Sequence, residues 1–262
     1  MTVNPFEKHG IDHLSPGSLR LFKECLPVWI GKYMLRAPDE AGPAAWRGLS
    51  VEAGVDRLLF GYDGTVALAA TKDKWDTLAQ GQIDPDCVKE YEALPDFLVQ
   101  AGVAYGGKPV PLQRQARITL DVPSLPVPLV GFCDYLWPDH GDDLKTTWRM
   151  PSSPDPAHVE QMSCYSMFHG VPFNLTYVTP KKWTRYEITP GMAAEAWDRV
   201  VEAAHAVGSF LAHVNDAYDA LSMLSPDYTS YYFRPAMAEA VRAAKAARVT
   251  PGEPRKPTLE LV

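Results

Sequence analysis

Between Val127 and Trp137 a single charged residue, Asp134, interrupts an otherwise apolar run, and this segment constrains the fold more than any other. A short apolar stretch bounded by turn residues reads as a strand buried on both faces. A carboxylate inside such a strand must find a partner, because burying it alone costs several kcal/mol. The turn-forming Pro138-Asp139-His140-Gly141 follows, and then a second short strand over 142–147, so the two read as a hairpin. On that second strand Asp143 and Lys145 are two residues apart and share a face. The hairpin brings Asp134 close to them. Taken alone, Asp-x-Lys on a strand is more often a surface ion pair than a site. Two buried carboxylates beside one lysine need a further partner, and a divalent cation is the economical one.

The rest of the chain places these strands. Ser15-Pro16-Gly17-Ser18 opens a run with apolar residues at helical spacing, predicting a helix over 16–35 with a break near Pro27. Further helices are predicted at 44–59, 65–80 and 86–101. From Gln113 to Asp121 the period changes to alternation, a strand. After the hairpin come a helix over 156–168, a second hairpin of 173–179 and 183–188 across Pro180-Lys181-Lys182, and a long helix over 191–222 behind Thr189-Pro190. This order defines a layered α/β or α+β chain. A single domain is expected over 1–250, with a helical part at 14–104, a sheet and helix at 112–190 and C-terminal helices at 191–247. The segment 251–262, with Pro254 and Pro257, reads as a loose tail.

Composition excludes several classes. With 262 residues, 46% of them hydrophobic and 22% charged, the chain can bury a substantial core and is neither disordered nor fibrous. No apolar run reaches the length of a membrane span, and residues 1–10 lack a secretory pattern, so a cytoplasmic protein without a membrane partner is expected. Cys25, Cys87, Cys133 and Cys164 form no CxxC pair and read as free, mostly buried thiols. The net charge of −7 taken alone argues against a polyanionic partner. A site built to hold divalent cations is itself acidic, which weakens that objection.

The order Gly131-Phe132-Cys133-Asp134, then Asp143-Leu144-Lys145-Thr146, then Gln161 and Tyr165 resembles the PD-(D/E)XK nucleases, in which a Gly-x-x-Asp strand precedes Asp-x-Lys-Thr and a helix bearing Gln-x-x-x-Tyr. Upstream, Leu14-Ser15-Pro16-Gly17-Ser18-Leu19 with Phe22 and Cys25 is similar to the opening of the RecB-like branch. Arg47-Gly48-Leu49-Ser50-Val51-Glu52-Ala53-Gly54 is similar to the helix that supplies its first metal ligand. The resemblance implies an α/β fold with a restriction-endonuclease-like core, a central mixed sheet flanked by helices, and helical additions at both ends. It implies a metal-dependent DNA exonuclease of phage-type recombination or end processing. A structure- or single-strand-specific endonuclease and a silent DNA-binding scaffold are the alternatives. Many RecB-like members carry His where Glu52 stands here, and a carboxylate suits a hard cation better.

What the resemblance implies for the site is that Glu52, Asp134, Asp143 and the backbone carbonyl of Leu144 hold one or two magnesium or manganese ions. Lys145 then acts on the attacking water, and Gln161 and Tyr165 support it from the following helix. Iron–sulfur members carry further cysteines near the C-terminus. Cys164 is the last one here, so no cluster is expected and Cys25 reads as a packed thiol. DNA is the implied partner, and the resemblance admits a single-strand annealing protein or helicase and a homo-oligomeric assembly. Arg149, Lys181, Lys182 and Arg185 are candidate phosphate contacts, with Trp148 or Trp183 able to stack on a base. His158, just before Gln161, reads as helix surface or a phosphate contact rather than a base.

Overall fold

Most helices begin where the sequence supplies a proline or an aspartate. The computed structural model describes residues 4–38 and 40–247; the expected loose segment at 251–262 lies outside the described residues. In chain order the helices α1 (Pro5–Lys8), α2 (Pro16–Glu24), α3 (Leu26–Tyr33), α4 (Pro43–Leu59), α5 (Gly64–Ala79), α6 (Pro85–Glu92) and α7 (Leu94–Tyr105) come first. Strands β1 (Gln113–Leu120), β2 (Leu129–Leu136) and β3 (Gly141–Thr146) follow, then α8 (Pro156–His169), β4 (Phe173–Val178) and β5 (Trp183–Ile188). Helices α9 (Pro190–His213), α10 (Ala217–Ser222) and α11 (Pro235–Ala247) complete the described chain. Asp63, Asp84 and Asp155 accept the first free N–H groups of α5, α6 and α8, satisfying donors that a helix start leaves open.

The chain divides into two compact units. One comprises the described parts of 1–11, 21–40 and 207–262, the other 12–20 and 41–206. The first is helical and packs Phe22, Trp29, Tyr33 and Phe210 against one another, mostly edge to face, with Gly31 leaving room for the Met237 side chain. Among the described residues no helix is long and apolar enough to cross a membrane.

The second unit carries the sheet, with strand order β1-β2-β3-β4-β5. Strands β1 and β2, β2 and β3, and β4 and β5 are antiparallel, while β3 and β4 are parallel. The unit is therefore an α/β arrangement with a five-stranded mixed sheet flanked by helices. The parallel pair needs a crossover, which α8 supplies. Because successive strand residues point to opposite faces, Asp142 and Asp143 look in opposite directions. Asp142 meets Tyr105 at the end of α7, whereas Lys145, on the same face as Asp143, meets Gln161 of α8. So α7 and α8 cover opposite faces. Helices α4 to α7 bury Trp46, Trp75, Leu94 and Phe97 in one core with Tyr135 and Leu144 of the sheet.

Candidate active site

The hairpin of β2 and β3 is paired over only Tyr135↔Asp142 and Leu136↔Gly141. Beyond those positions the strands part, and the Leu144 N–H is taken by a side chain instead of a carbonyl: Asp134 Oδ2 accepts it at 2.8 Å. That bond holds the carboxylate of β2 against the backbone of β3. Asp143 points to the α8 face, 1% exposed, and its Oδ2 lies 2.5 Å from Lys145 Nζ. Beyond that ion pair, Asp143 Oδ2 receives no hydrogen bond.

Glu52 comes from α4, and a buried clamp sets that helix. Arg47, 4% exposed, donates to Thr146 Oγ1 at 3.2 Å and to the Thr146 carbonyl at 3.1 Å, and pairs with Glu90 of α6, itself 8% exposed. Gly48 faces the same threonine at van der Waals distance. The Arg47-Gly48 dipeptide thus seats α4 on the end of β3, and Glu52 follows little more than one turn later.

Lys145 is wired into α8. Its Nζ donates to Gln161 Oε1 at 3.0 Å, Gln161 Nε2 donates to the Tyr165 hydroxyl at 2.7 Å, and that hydroxyl donates to the Phe132 carbonyl at 2.6 Å. An ammonium can only donate, so the Gln161 amide turns its oxygen to Lys145 and its nitrogen to the Tyr165 hydroxyl. Gly131 makes the approach possible, since a Cβ there would lie 2.9 Å from the Tyr165 ring.

The electrostatics of this corner are those of crowded like charges. Burial, then the Asp143 and Glu52 charges, push the Asp134 carboxyl well above its usual range. Burial pushes Glu52 up to about 7, with Asp56 and Asp143 adding to it and Gln115 and Lys145 opposing. Asp143 is raised by burial against the pull of Lys145. For Lys145, burial works against the ammonium but is outweighed by Asp143 and Asp134, leaving its pKa raised. The site holds protons more tightly than free carboxylates do, because three acids face one ammonium.

The structure brings Glu52, Asp134, Asp143, Lys145, Gln161 and Tyr165 into one network. Among the described residues no three acidic, His or Cys side chains stand close enough to cage a metal ion. A residue that sequence reasoning passed over lies between two of them: Gln115 of β1 donates from Nε2 to Glu52 Oε1 at 2.5 Å and to Asp134 Oδ1 at 3.2 Å. His158 stands on α8, one turn before Gln161. It is half-buried, with Nδ1 2.7 Å from the Tyr177 hydroxyl and Nε2 3.4 Å from Arg20, and burial and Lys145 lower its pKa to about 4. Neither residue carries a pattern visible in one sequence.

The candidate DNA contacts divide. Trp148 and Arg149 follow β3 directly, and Lys181 and Lys182 sit in the turn after β4, which Thr147 N joins to β3 through the Val178 carbonyl at 2.9 Å. They lie side by side at the C-terminal ends of parallel strands, and Trp148, Arg149, Lys181 and Lys182 are all exposed. Trp148 donates to Glu90 and lies under the Lys89 ammonium at 4.7 Å. Arg185 turns inward instead, bonding Asp142 Oδ2, Thr176 Oγ1 and the Ala104 carbonyl, each at 2.9 Å. It neutralises a buried acid and is not free to hold a phosphate. Trp183 is half-buried, with the Arg185 guanidinium 5.5 Å from its ring centre.

No family model matches the chain, and no curated protein matches it. Among solved structures it is similar to one described as "Crystal structure of SSO0001", at 15% identity and a TM-score of 0.35, over 79% of this chain and 96% of that one. A likeness at this level carries no argument about fold or function.

Proposed function

We propose that the chain is a metal-dependent deoxyribonuclease of the PD-(D/E)XK superfamily, in its RecB-like branch, acting as an exonuclease in phage-type recombination or DNA end processing. The observation that carries this reading is the junction of Asp134, Asp143 and Glu52 around a single lysine that is itself tied to Gln161 and Tyr165. The same residues carry the sequence resemblance, and three different elements supply the acids.

The donor set fits a hard divalent cation. All the available ligand atoms are oxygens, and Asp143 Oδ2, in a residue 1% exposed, has the Lys145 ammonium as its ion-pair partner and receives no further hydrogen bond. Glu52, Asp134, Asp143 and the Leu144 carbonyl would hold one or two magnesium or manganese ions. Such an ion, when bound, supplies a water of lowered pKa and offsets charge on the scissile phosphate. Lys145, held by Gln161, orients that water and stabilises the charge that develops on the phosphate. Tyr165 keeps the Gln161 amide turned toward Lys145. Trp148, Arg149, Lys181 and Lys182 form a basic and aromatic rim for the DNA backbone at the strand ends, where open α/β sheets bind ligands.

The test is digestion of end-labelled linear duplex, single-stranded and covalently closed circular DNA with magnesium, manganese or EDTA. Metal-dependent loss of label from linear DNA only, abolished in Lys145→Ala and in Asp143→Asn while both variants melt cooperatively, supports the exonuclease. Cleavage of the closed circle redirects the reading to an endonuclease. No cleavage of any substrate by the wild type sinks it in favour of a silent DNA-binding protein, and activity retained by Asp143→Asn sinks the site.

A further inference from the structure

We infer that Gln115 is a displaceable stand-in for a cation: its amide occupies the place between Glu52 and Asp134, and a divalent ion is held there only after that side chain swings out. This inference rests on the nuclease reading of the site. One nitrogen, Nε2, reaches both acids, Glu52 Oε1 at 2.5 Å and Asp134 Oδ1 at 3.2 Å. The hydrogen-bearing end of the amide dipole thus sits where two carboxyl oxygens face each other. It offsets part of their repulsion, as only a full positive charge could do completely.

The backbone is bent to aim it. Gln115 has φ +48°, the left-handed region that a residue with a side chain enters only at a cost. It does so inside a strand rather than in a turn. The β1–β2 ladder pairs Arg114↔Tyr135 and Ala116↔Cys133 on either side and is interrupted at Gln115, opposite Asp134. The side chain is nonetheless exposed to solvent, so it can leave without opening the core.

With the amide in place, Asp143 Oδ2 on the neighbouring strand is buried with Lys145 as its ion-pair partner and no hydrogen bond. Among the described residues no three acids converge on one point. Removing the amide leaves Glu52 and Asp134 with their repulsion and without that donor, and a hard oxygen-seeking ion relieves both. The competition is between two hydrogen bonds to charged acceptors and the coordination of an ion by the same oxygens.

The experiment is titration calorimetry of manganese into the metal-stripped full chain, for wild type, Gln115→Gly, Gln115→Asn and Gln115→Lys, with folding checked by circular dichroism. Gly and Asn both tolerate the left-handed backbone; Gly deletes the amide and Asn withdraws it by one methylene. Loss of hydrogen bonds to charged groups should tighten manganese binding by at least about 10-fold in Gln115→Gly and less in Gln115→Asn. Gln115→Lys, which places a full charge in the same position, should weaken it at least as much. Unchanged binding in both the Gly and Asn variants overturns the inference while leaving the nuclease reading intact. Weaker binding in both also overturns it, since Gln115 would then be a ligand through its own oxygen. Absence of manganese binding in the wild type and in the Gly and Asn variants alike overturns the inference and the nuclease reading together.

Discussion

Replacing Glu52 by glutamine should stabilise the metal-free protein, and increasingly so as pH rises. Glu52 lies half-buried on α4 beside Asp134, and burial with its acidic neighbours raises its pKa to about 7 from an unfolded value near 4.5. A carboxyl raised in the folded state contributes stability below its unfolded pKa and loses it as pH climbs through the folded one, because the unfolded chain gives up the proton first. Integrated between pH 5 and pH 8, that difference amounts to about 2–3 kcal/mol. The glutamine side chain has the same shape, keeps an oxygen for Gln115 to donate to, and has no charge to lose. Urea unfolding in EDTA at the two pH values, for wild type and Glu52→Gln, measures it directly. The advantage of the variant should grow by about 2–3 kcal/mol from pH 5 to pH 8, a difference in melting temperature of roughly 4–10 °C. An advantage that is the same at both pH values would refute the reasoning, since it would place Glu52 in solvent and away from Asp134. Adding manganese at pH 8 should reverse the order, because the variant lacks one of the three carboxylates proposed to hold the ion.

Arg47→Ala removes the clamp on α4 and leaves Glu90 charged and buried, so it should cost about 3–5 kcal/mol in chemical unfolding; a loss below about 1 kcal/mol would mean that α4 is held by its apolar face alone. Gly131→Ala drives a methyl to within 2.9 Å of the Tyr165 ring, costs about 1–3 kcal/mol, and should lower DNA cleavage through Gln161 and Lys145. Cleavage at the wild-type rate in Gly131→Ala would show that the hydrogen-bonded chain to Phe132 does not position Lys145.

Much of the fold was legible because periodicity reports which face of an element is buried. The predicted strands and the α8 helix agree with the structure to within two residues. The misreadings fall where a helix restarts. The expected single helix over 86–101 is two, α6 and α7, parted at Ala93 with Pro95 in the first turn of α7. The expected helix over 191–222 stops at His213 and restarts under an Asp216 cap. Hydrophobic spacing runs through both breaks, so it could not signal them. The break expected near Pro27 occurs at Cys25, just ahead of Leu26-Pro27, because proline is tolerated in a first turn and not beyond it. In the site, the acids and the lysine were visible as spacing on strands. Gln115 was not, because its role depends on a left-handed backbone angle and on a cross-strand neighbour that spacing does not reveal.

Asp142 and Asp143 show why one sequence can suggest a site without describing its charge balance. Adjacent in the chain, they face opposite sides of β3 and meet opposite solutions to the same problem. Asp142, fully buried, has Lys108 and Arg185 as ion-pair partners and accepts from the Tyr105 and Thr176 hydroxyls at 2.8 and 2.7 Å. The protein supplies everything that carboxylate needs, and it draws in an arginine that the sequence offered as a DNA contact. Asp143 has one lysine, shared with the influence of Asp134 and Glu52. When all three acids are ionised, that face carries two more negative than positive charges, and a residue of neutral polarity, Gln115, is the additional donor between Glu52 and Asp134. The fold thus gives one buried acid two cations and leaves the three acids of the opposite face with a single ammonium, and the proposed metal-dependent activity rests on that imbalance.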